Sequence, residues 1–362
     1  MNVFHRVRIL CPVAITLLAT FVCISAGAED QAIVFPGKTW EYKKPSQLNL
    51  NGEKLDEFAK RVGGVGCIVK DGFMVRTWGD QDSKGDWASA MKPVMSTMLM
   101  FAVKEGRLKN LDAEVRPYVQ RSLRKDLVSK DRSMTFRHLA NMTSGYALPE
   151  KPGAAWAYND YAINLYGKTL FDGVLGQTPN DAATAAGRLG TLQFEDGAIF
   201  GSRGGYGLKT TCRDFARIGW FWLNRGNWNG QQLLPREYFD ENLKPGVPAN
   251  LPRTSGGQDD YLRVRFTGGG TDQTPYGPGI YGLNWWFNAK VGDSNQRTWP
   301  DAPPDTFQAN GHWQREVMTV IPSLKLVVAA RGNWGRFEAG RADSGSNQIL
   351  KLLCDAVRAE RN

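Results

Sequence analysis

The chain has 362 residues, with 45 Lys and Arg against 36 Asp and Glu and a formal net charge of +9. That length suits one large domain or two lobes, and no Lys/Arg block with interleaved aromatics marks it for nucleic acid. Three histidines and five cysteines, with no pair at ligand spacing, predict neither a metal site nor a cofactor.

At the start, Arg6 and Arg8 precede an apolar run over 9–24, and Ala26-Gly27-Ala28 offers a small-x-small cleavage site. The pattern predicts an export leader over 1–28, a mature chain over 29–362 and a secreted or periplasmic location. The run is short of the roughly 20 apolar residues of a membrane span. Thr20-Phe21-Val22 before Cys23 is too bulky for a lipoprotein anchor, so no anchor is expected after cleavage. Losing Arg6 and Arg8 takes the charge from +9 to about +7. Cys67, Cys212 and Cys354 are too widely spaced for a disulfide framework, and Cys67 and Cys354 read as buried thiols.

Val65 to Trp78 reads as a hairpin turning at Lys70-Asp71-Gly72. A polar loop over 80–86 follows, and then Lys92–Leu108 reads as an amphipathic helix, with Pro93 in its first turn, its apolar residues on one broad face and Gly106 punctuating its end. Residues 109–200 read as helices and loops, including Phe136–Ala140 and Tyr161–Val174. Thr211–Asn224 is amphipathic, capped by Thr210 or Thr211, with Asp214 in its first turn. The stretch over 244–280 is rich in Gly, Pro and Asp and reads as a long, functional loop. Tyr281–Phe287 is strand-like, Arg315–Ile321 pairs with Lys325–Arg331 across Pro322-Ser323-Leu324, and Gln348–Arg358 closes as a helix. Strands at both ends and helices between predict an α+β fold, its antiparallel sheet assembled from both ends of the chain.

Ser89-Ala90-Met91-Lys92 is the main candidate for chemistry. Residues i and i+3 on a helix face the same side, so the lysine sits beside the hydroxyl. Burial under Trp87, Met91 and Met95 is expected to lower the lysine pKa and let it take the serine proton. The helix N-terminus is expected to point N–H groups at an oxyanion. Ser122-Leu123-Arg124-Lys125 has the same spacing in a charged stretch, where solvated side chains are expected; it is a control within the chain. No Gly-x-Ser-x-Gly elbow and no phosphate-binding glycine loop is present.

The segment Trp87–Leu108 (WASAMKPVMSTMLMFAVKEGRL) resembles the first motif of the serine β-lactamase and penicillin-binding-protein superfamily. The similarity is to its class C β-lactamase-like branch, with family VIII esterases and 6-aminohexanoate-dimer hydrolases. Thr135–Gly145, Pro152–Gly167, Gly207–Phe239 and Gly311–Arg331 resemble later segments of that branch, in its order. The resemblance implies a β-lactamase/transpeptidase-like fold: an α/β lobe (36–105 and 205–362), an inserted helical lobe (106–204) and a cleft between them. It maps the nucleophile to Ser89, its lysine partner to Lys92 and the second-motif tyrosine to Tyr158. An ordinary phenol titrates near 10, so cationic neighbours or a bond to Lys92 would have to bring it into range.

Two motifs depart from the family pattern. Tyr158-Asn159-Asp160 stands where Tyr-x-Asn is usual. An ionised Asp160 would favour a charged Lys92 and oppose its role as base unless turned away, or would instead hold Lys92 in place while Tyr158 acts as base. Gly311-His312-Trp313-Gln314 matches the third motif only at His312. His312 is expected to donate to a substrate carboxylate or tune Tyr158, with Gly311, Trp313 and Asp160 at the substrate. The second oxyanion donor is expected from the strand near Trp313, and His138 reads as structural. The expected activity is acyl transfer through Ser89 to water, with Lys92 and Tyr158 together removing the serine proton, on an ester, amide or lactam of a small-molecule or peptide-like substrate. The alternative is a non-catalytic protein of this fold that holds an envelope peptide or glycan against its aromatic residues.

Overall fold

The computed structural model describes residue 1 and residues 33–125, 127–256, 276–292 and 294–358. Residues 2–28 of the expected leader and 257–275 of the expected long loop therefore lie outside the described residues. The chain divides into Met1–Ile33 and Val34–Asn362, and the sheets, the helices and the candidate site all belong to the second unit.

The first hairpin forms as its apolar runs and turn residues predict, with strands β1 (Val65–Lys70) and β2 (Phe73–Trp78) antiparallel across Asp71-Gly72. Both turn residues have positive φ, 53° and 87°, which a short turn between twisted strands requires. Strand β3 (Gly85–Asp86) joins β4 (Phe200–Ser202) and β5 (Gly207–Thr210) in a small sheet, and β6 (Asn227–Trp228) pairs with β7 (Gln231–Gln232). The main sheet is completed by β8 (Tyr281–Gly282), β9 (Trp285–Phe287), β10 (Phe307–Gly311), β11 (Glu316–Ile321) and β12 (Leu326–Arg331). Its order is β2-β1-β12-β11-β10-β9-β8, antiparallel throughout, so strands from both ends of the sequence meet at its centre. This is the α+β architecture expected from the sequence, with an antiparallel sheet drawn from both ends of the chain.

The helices are α1 (Gly52–Val62), α2 (Lys92–Lys104), α3 (Arg121–Arg124), α4 (Phe136–Ala140), α5 (Asp160–Lys168), α6 (Pro179–Thr184), α7 (Cys212–Leu223), α8 (Arg236–Asn242) and α9 (Gly345–Arg358). Thr211 caps α7, its Oγ1 accepting from Asp214 N at 3.2 Å. The helix lies against β1, β11 and β12. Gly219 permits that approach, because a Cβ there would come within 2.6 Å of Met318 Sδ and 2.7 Å of Val327 Cγ1. Burying these apolar faces is the main stabilising contribution.

Two expectations needed revision. Helix α2 is buried from Lys92 to Ala102 without an exposed face, so it is a central helix rather than an amphipathic one. Its polar side chains are satisfied inside: Ser96 Oγ donates to Asn284 Oδ1 at 2.8 Å, and Thr97 Oγ1 accepts from Trp222 Nε1 at 2.9 Å. Tyr281–Phe287 is not one strand but a tight reversal, because Leu283 and Asn284 both take positive φ, 42° and 71°. Asn284 is fixed there by Ser96 and by its own Nδ2, which donates to Tyr281 Oη at 3.1 Å.

Candidate active site

The turn that carries Ser89 is fixed from outside. Gly85 and Asp86 pair with Thr210 and Lys209. Trp87 donates from its backbone N to Leu208 O and from Nε1 to Thr210 O, each at 3.0 Å. Its ring is buried against Phe215, centroids 4.5 Å apart. Asp86 Oδ1 accepts from Ala88 N at 2.8 Å, and Ala88 is held at φ 46°. That left-handed conformation costs an alanine about 1–2 kcal/mol, and such strain persists where surrounding bonds over-determine the chain. Ser89 follows in a single 3-10 turn, Ala88–Met91, which runs into α2 at Lys92. In a 3-10 turn i and i+3 eclipse, so Ser89 and Lys92 are juxtaposed more closely than the expected α-helix would place them.

Lys92 is only 3% exposed. Its Nζ donates to Ser89 Oγ at 2.8 Å, to Tyr158 Oη at 2.6 Å and to Asp160 Oδ1 at 3.0 Å. An ammonium has three donors and no acceptor, and all three are used. Burial is the largest single influence and pushes the Lys92 pKa down, as expected. The adjacent Asp160 carboxylate and Tyr158 together outweigh it and raise the pKa above the usual lysine value. The expectation of a lysine tuned down toward neutrality is therefore corrected: Asp160 is not turned away, and Lys92 is a cation.

Tyr158 and Asp160 come from the chain entering α5. Asn159 is the N-cap, its Oδ1 accepting from Ala162 N at 3.1 Å and its Nδ2 donating to Tyr146 O at 2.6 Å. Asp160 then occupies the first helical position, where the helix dipole favours its charge. Tyr158 is half-buried, its ring stacked at 6.4 Å on Trp286. Ser89, Tyr158 and Asp160 are each partly exposed around the buried ammonium.

The third-motif region differs more from expectation. Strand β10 ends at Gly311 and β11 begins at Glu316, so His312, Trp313 and Gln314 form a turn. All three have positive φ, 27°, 52° and 73°. Trp313 therefore lies in no strand, between the end of β10 at Gly311 and the start of β11 at Glu316. Gly311 is buried rather than facing substrate. A Cβ there would meet Trp87 O at 2.7 Å, so its role is to let β10 close on the serine turn.

His312 also has partners other than those expected. Its Nδ1 lies 3.0 Å from Glu316 Oε2 and its Nε2 3.4 Å from Arg203 Nη2. A carboxylate only accepts and a guanidinium only donates, so Nδ1 carries the proton and Nε2 accepts. Donation to a substrate, or contact with Tyr158, is not what this arrangement provides. Arg203 Nε in turn donates to Asp86 Oδ2 at 3.0 Å, linking the His312 turn to the Ser89 turn. Asp86, Arg203 and Glu316 had no sequence signal, since each is an isolated charge whose partner lies far off or across a turn. Trp313 is 77% exposed. It borders a groove of about 910 Å³ with His312, Arg315, Glu316, Arg331, Gly332 and Asn333, and neither Ser89, Lys92 nor Tyr158 lines it.

The control serine behaves as such. Ser122 and Lys125 are both exposed at α3. His138 is structural, its Nδ1 accepting from Thr135 N at 3.2 Å at the start of α4. Cys67, Cys212 and Cys354 are buried.

The Beta-lactamase family model matches residues 53–181, a span that includes Ser89, Lys92, Tyr158 and Asp160. No curated protein matches the sequence. Among solved structures, the chain is similar to a beta-lactamase/D-alanine carboxypeptidase from Yersinia pestis complexed with citrate, at 16% identity and a TM-score of 0.55. That match covers 86% of this chain and 99% of the other. A penicillin-binding-protein homologue from Caulobacter crescentus matches at 11% identity and TM-score 0.55, covering 88% and 99%. A class C beta lactamase from Rhodobacter sphaeroides matches at 16% and 0.52, covering 85% and 98%. At these identities the likeness is one of fold.

Proposed function

We propose that this chain, which belongs to the serine β-lactamase and penicillin-binding-protein-like superfamily, is an exported serine acyl hydrolase with Ser89 as its nucleophile. The observation that carries this reading is the single ammonium of Lys92 bonded to Ser89 Oγ, Tyr158 Oη and Asp160 Oδ1.

The protonation pattern assigns the roles. Lys92, with its pKa raised, has no lone pair to offer and so does not itself take the serine proton. Tyr158 Oη, held by that ammonium at 2.6 Å, is the group placed to accept the proton, in its deprotonated form, as Ser89 Oγ bonds the carbonyl carbon. The phenol then returns the proton to the leaving group as that bond breaks. Water, deprotonated by Tyr158 in the same way, releases the acyl group from Ser89. Lys92 stabilises negative charge on both oxygens throughout, and Asp160 keeps Lys92 charged and aimed. This differs from a shared Lys92–Tyr158 base, because the carboxylate fixes which partner can accept.

The substrate is an ester, amide or lactam of small-molecule or peptide-like size. With His312 engaged by Glu316 and Arg203, the site supports acyl hydrolysis in general more than β-lactam hydrolysis in particular. The test is turnover of p-nitrophenyl esters, a chromogenic cephalosporin and D-Ala-D-Ala peptides by wild type and Ser89→Ala. The reading expects at least one class to turn over and Ser89→Ala to abolish it. Turnover unchanged by Ser89→Ala rejects it. Export on residues 1–28 is checked separately, by the N-terminal sequence of protein recovered outside the cytoplasm. A start near Glu29 is expected, and recovery of the protein only inside the cytoplasm, with Met1 intact, rejects export. Among the described residues no helix is long and apolar enough to cross a membrane.

A further inference from the structure

The carboxylate of Asp160 is only half accounted for by the chemistry above. Oδ1 accepts from Lys92 at 3.0 Å. Oδ2 makes no hydrogen bond among the described residues, and the side chain is 31% exposed. Capping of α5 does not need it, because Asn159 already serves as N-cap. Ser89 Oγ and Asp160 Oδ1 bond the same ammonium, at 2.8 and 3.0 Å. A group a few bonds out from a carbonyl attacked by Ser89 therefore reaches the carboxylate.

An amide side chain at this position could either donate or accept. An ionised carboxylate can only accept. A substrate carbonyl placed against Oδ2 would set acceptor against acceptor, whereas an N–H would complete the oxygen's bonding with a charge-assisted hydrogen bond. Resting on the serine-hydrolase reading above, we propose that Asp160 Oδ2 selects acyl groups carrying an N–H donor close to the scissile carbonyl. The preferred substrates are thus aminoacyl or N-acylaminoacyl esters and amides. Acyl groups with only a carbonyl at that place are disfavoured. Asp160 then has two tasks on its two oxygens: Oδ1 holds the lysine and Oδ2 reads the acyl group.

The test compares matched substrates, so that a general loss of activity cancels. One pair is the phenyl esters of N-acetylglycine and of 4-oxopentanoic acid, which differ by N–H against CH₂. A second pair, the phenyl esters of glycine and of propionic acid, asks whether an ammonium serves as well as an amide. In wild type, kcat/KM is expected to favour the N–H member of at least one pair by roughly tenfold or more, the scale of a hydrogen bond to a charged group. Asp160→Ala, which leaves no acceptor at this place, is expected to bring that ratio close to one, whatever happens to the absolute rates. A ratio near one in wild type, a ratio that survives in Asp160→Ala, or turnover of none of these esters overturns the assignment. Turnover that persists in Ser89→Ala instead removes the nucleophile reading, and this inference with it.

Discussion

The turn around Ser89 and the turn around His312 are joined by Arg203, yet they are built in opposite ways. The first is enclosed: Trp87 and Lys92 are buried, and the three Lys92 donors are all spent. The second is open, with His312 47% and Trp313 77% exposed and three successive residues in left-handed conformations. Enclosure lets one cation hold three oxygens in a fixed relation, as acyl transfer needs. Openness leaves the second turn to shape a groove. The two turns thus divide the acyl-transfer chemistry from the shaping of the surface beside it, and substitutions in them should separate along the same line.

The largest effects belong to the first turn. Tyr158→Phe and Lys92→Met should each cut kcat by roughly 10² to 10⁴-fold with the fold intact, read as steady-state rates beside circular dichroism. Either variant retaining near wild-type kcat would break the division. Gly311→Val should destabilise the protein by about 1–3 kcal/mol, since its side chain would press on Trp87 O. Chemical denaturation checks this, and an unchanged midpoint would mean that the two turns are not in the close contact described.

Asp160→Asn should act through pH. With its pKa raised, Lys92 keeps its proton and its ion pair at and below the usual lysine value, and loses them as pH rises past the raised value. Without the carboxylate, burial is opposed by less and the lysine titrates lower. The alkaline limb of the kcat/KM profile should therefore move down in the variant. A limb that stays in place would show that Asp160 does not set the lysine's charge. The smallest effects belong to the second turn: His312→Asn and Trp313→Ala should change kcat/KM by about tenfold at most, mainly through KM. A collapse of kcat in either would return His312 to the catalytic group.

What the sequence revealed follows the same division. Apolar runs on either side of a short turn signal marked β1–β2 and β11–β12, and these strands are buried or half-buried along their whole length. The Ser89, Lys92, Tyr158 and Asp160 set was visible because each lies in a local motif. The conflict between Asp160 and a neutral Lys92 could be stated from residue types alone, although the distance that decides it could not. The Tyr281–Phe287 reversal was not legible. It turns on Leu283-Asn284 without glycine and is held by Ser96 from α2. Likewise, the His312–Gln314 turn carries no glycine among its three left-handed residues. Arg203 joins Asp86 from 117 positions away in the chain, and no local pattern encodes such a pairing.

The most direct test of the central claim is fluorophosphonate labelling of the purified protein, read by intact mass and peptide mapping. The account predicts one adduct, on the peptide that carries Ser89, with Ser122 unlabelled and no adduct in Ser89→Ala. Absence of labelling in wild type, or equal labelling in Ser89→Ala, would contradict it.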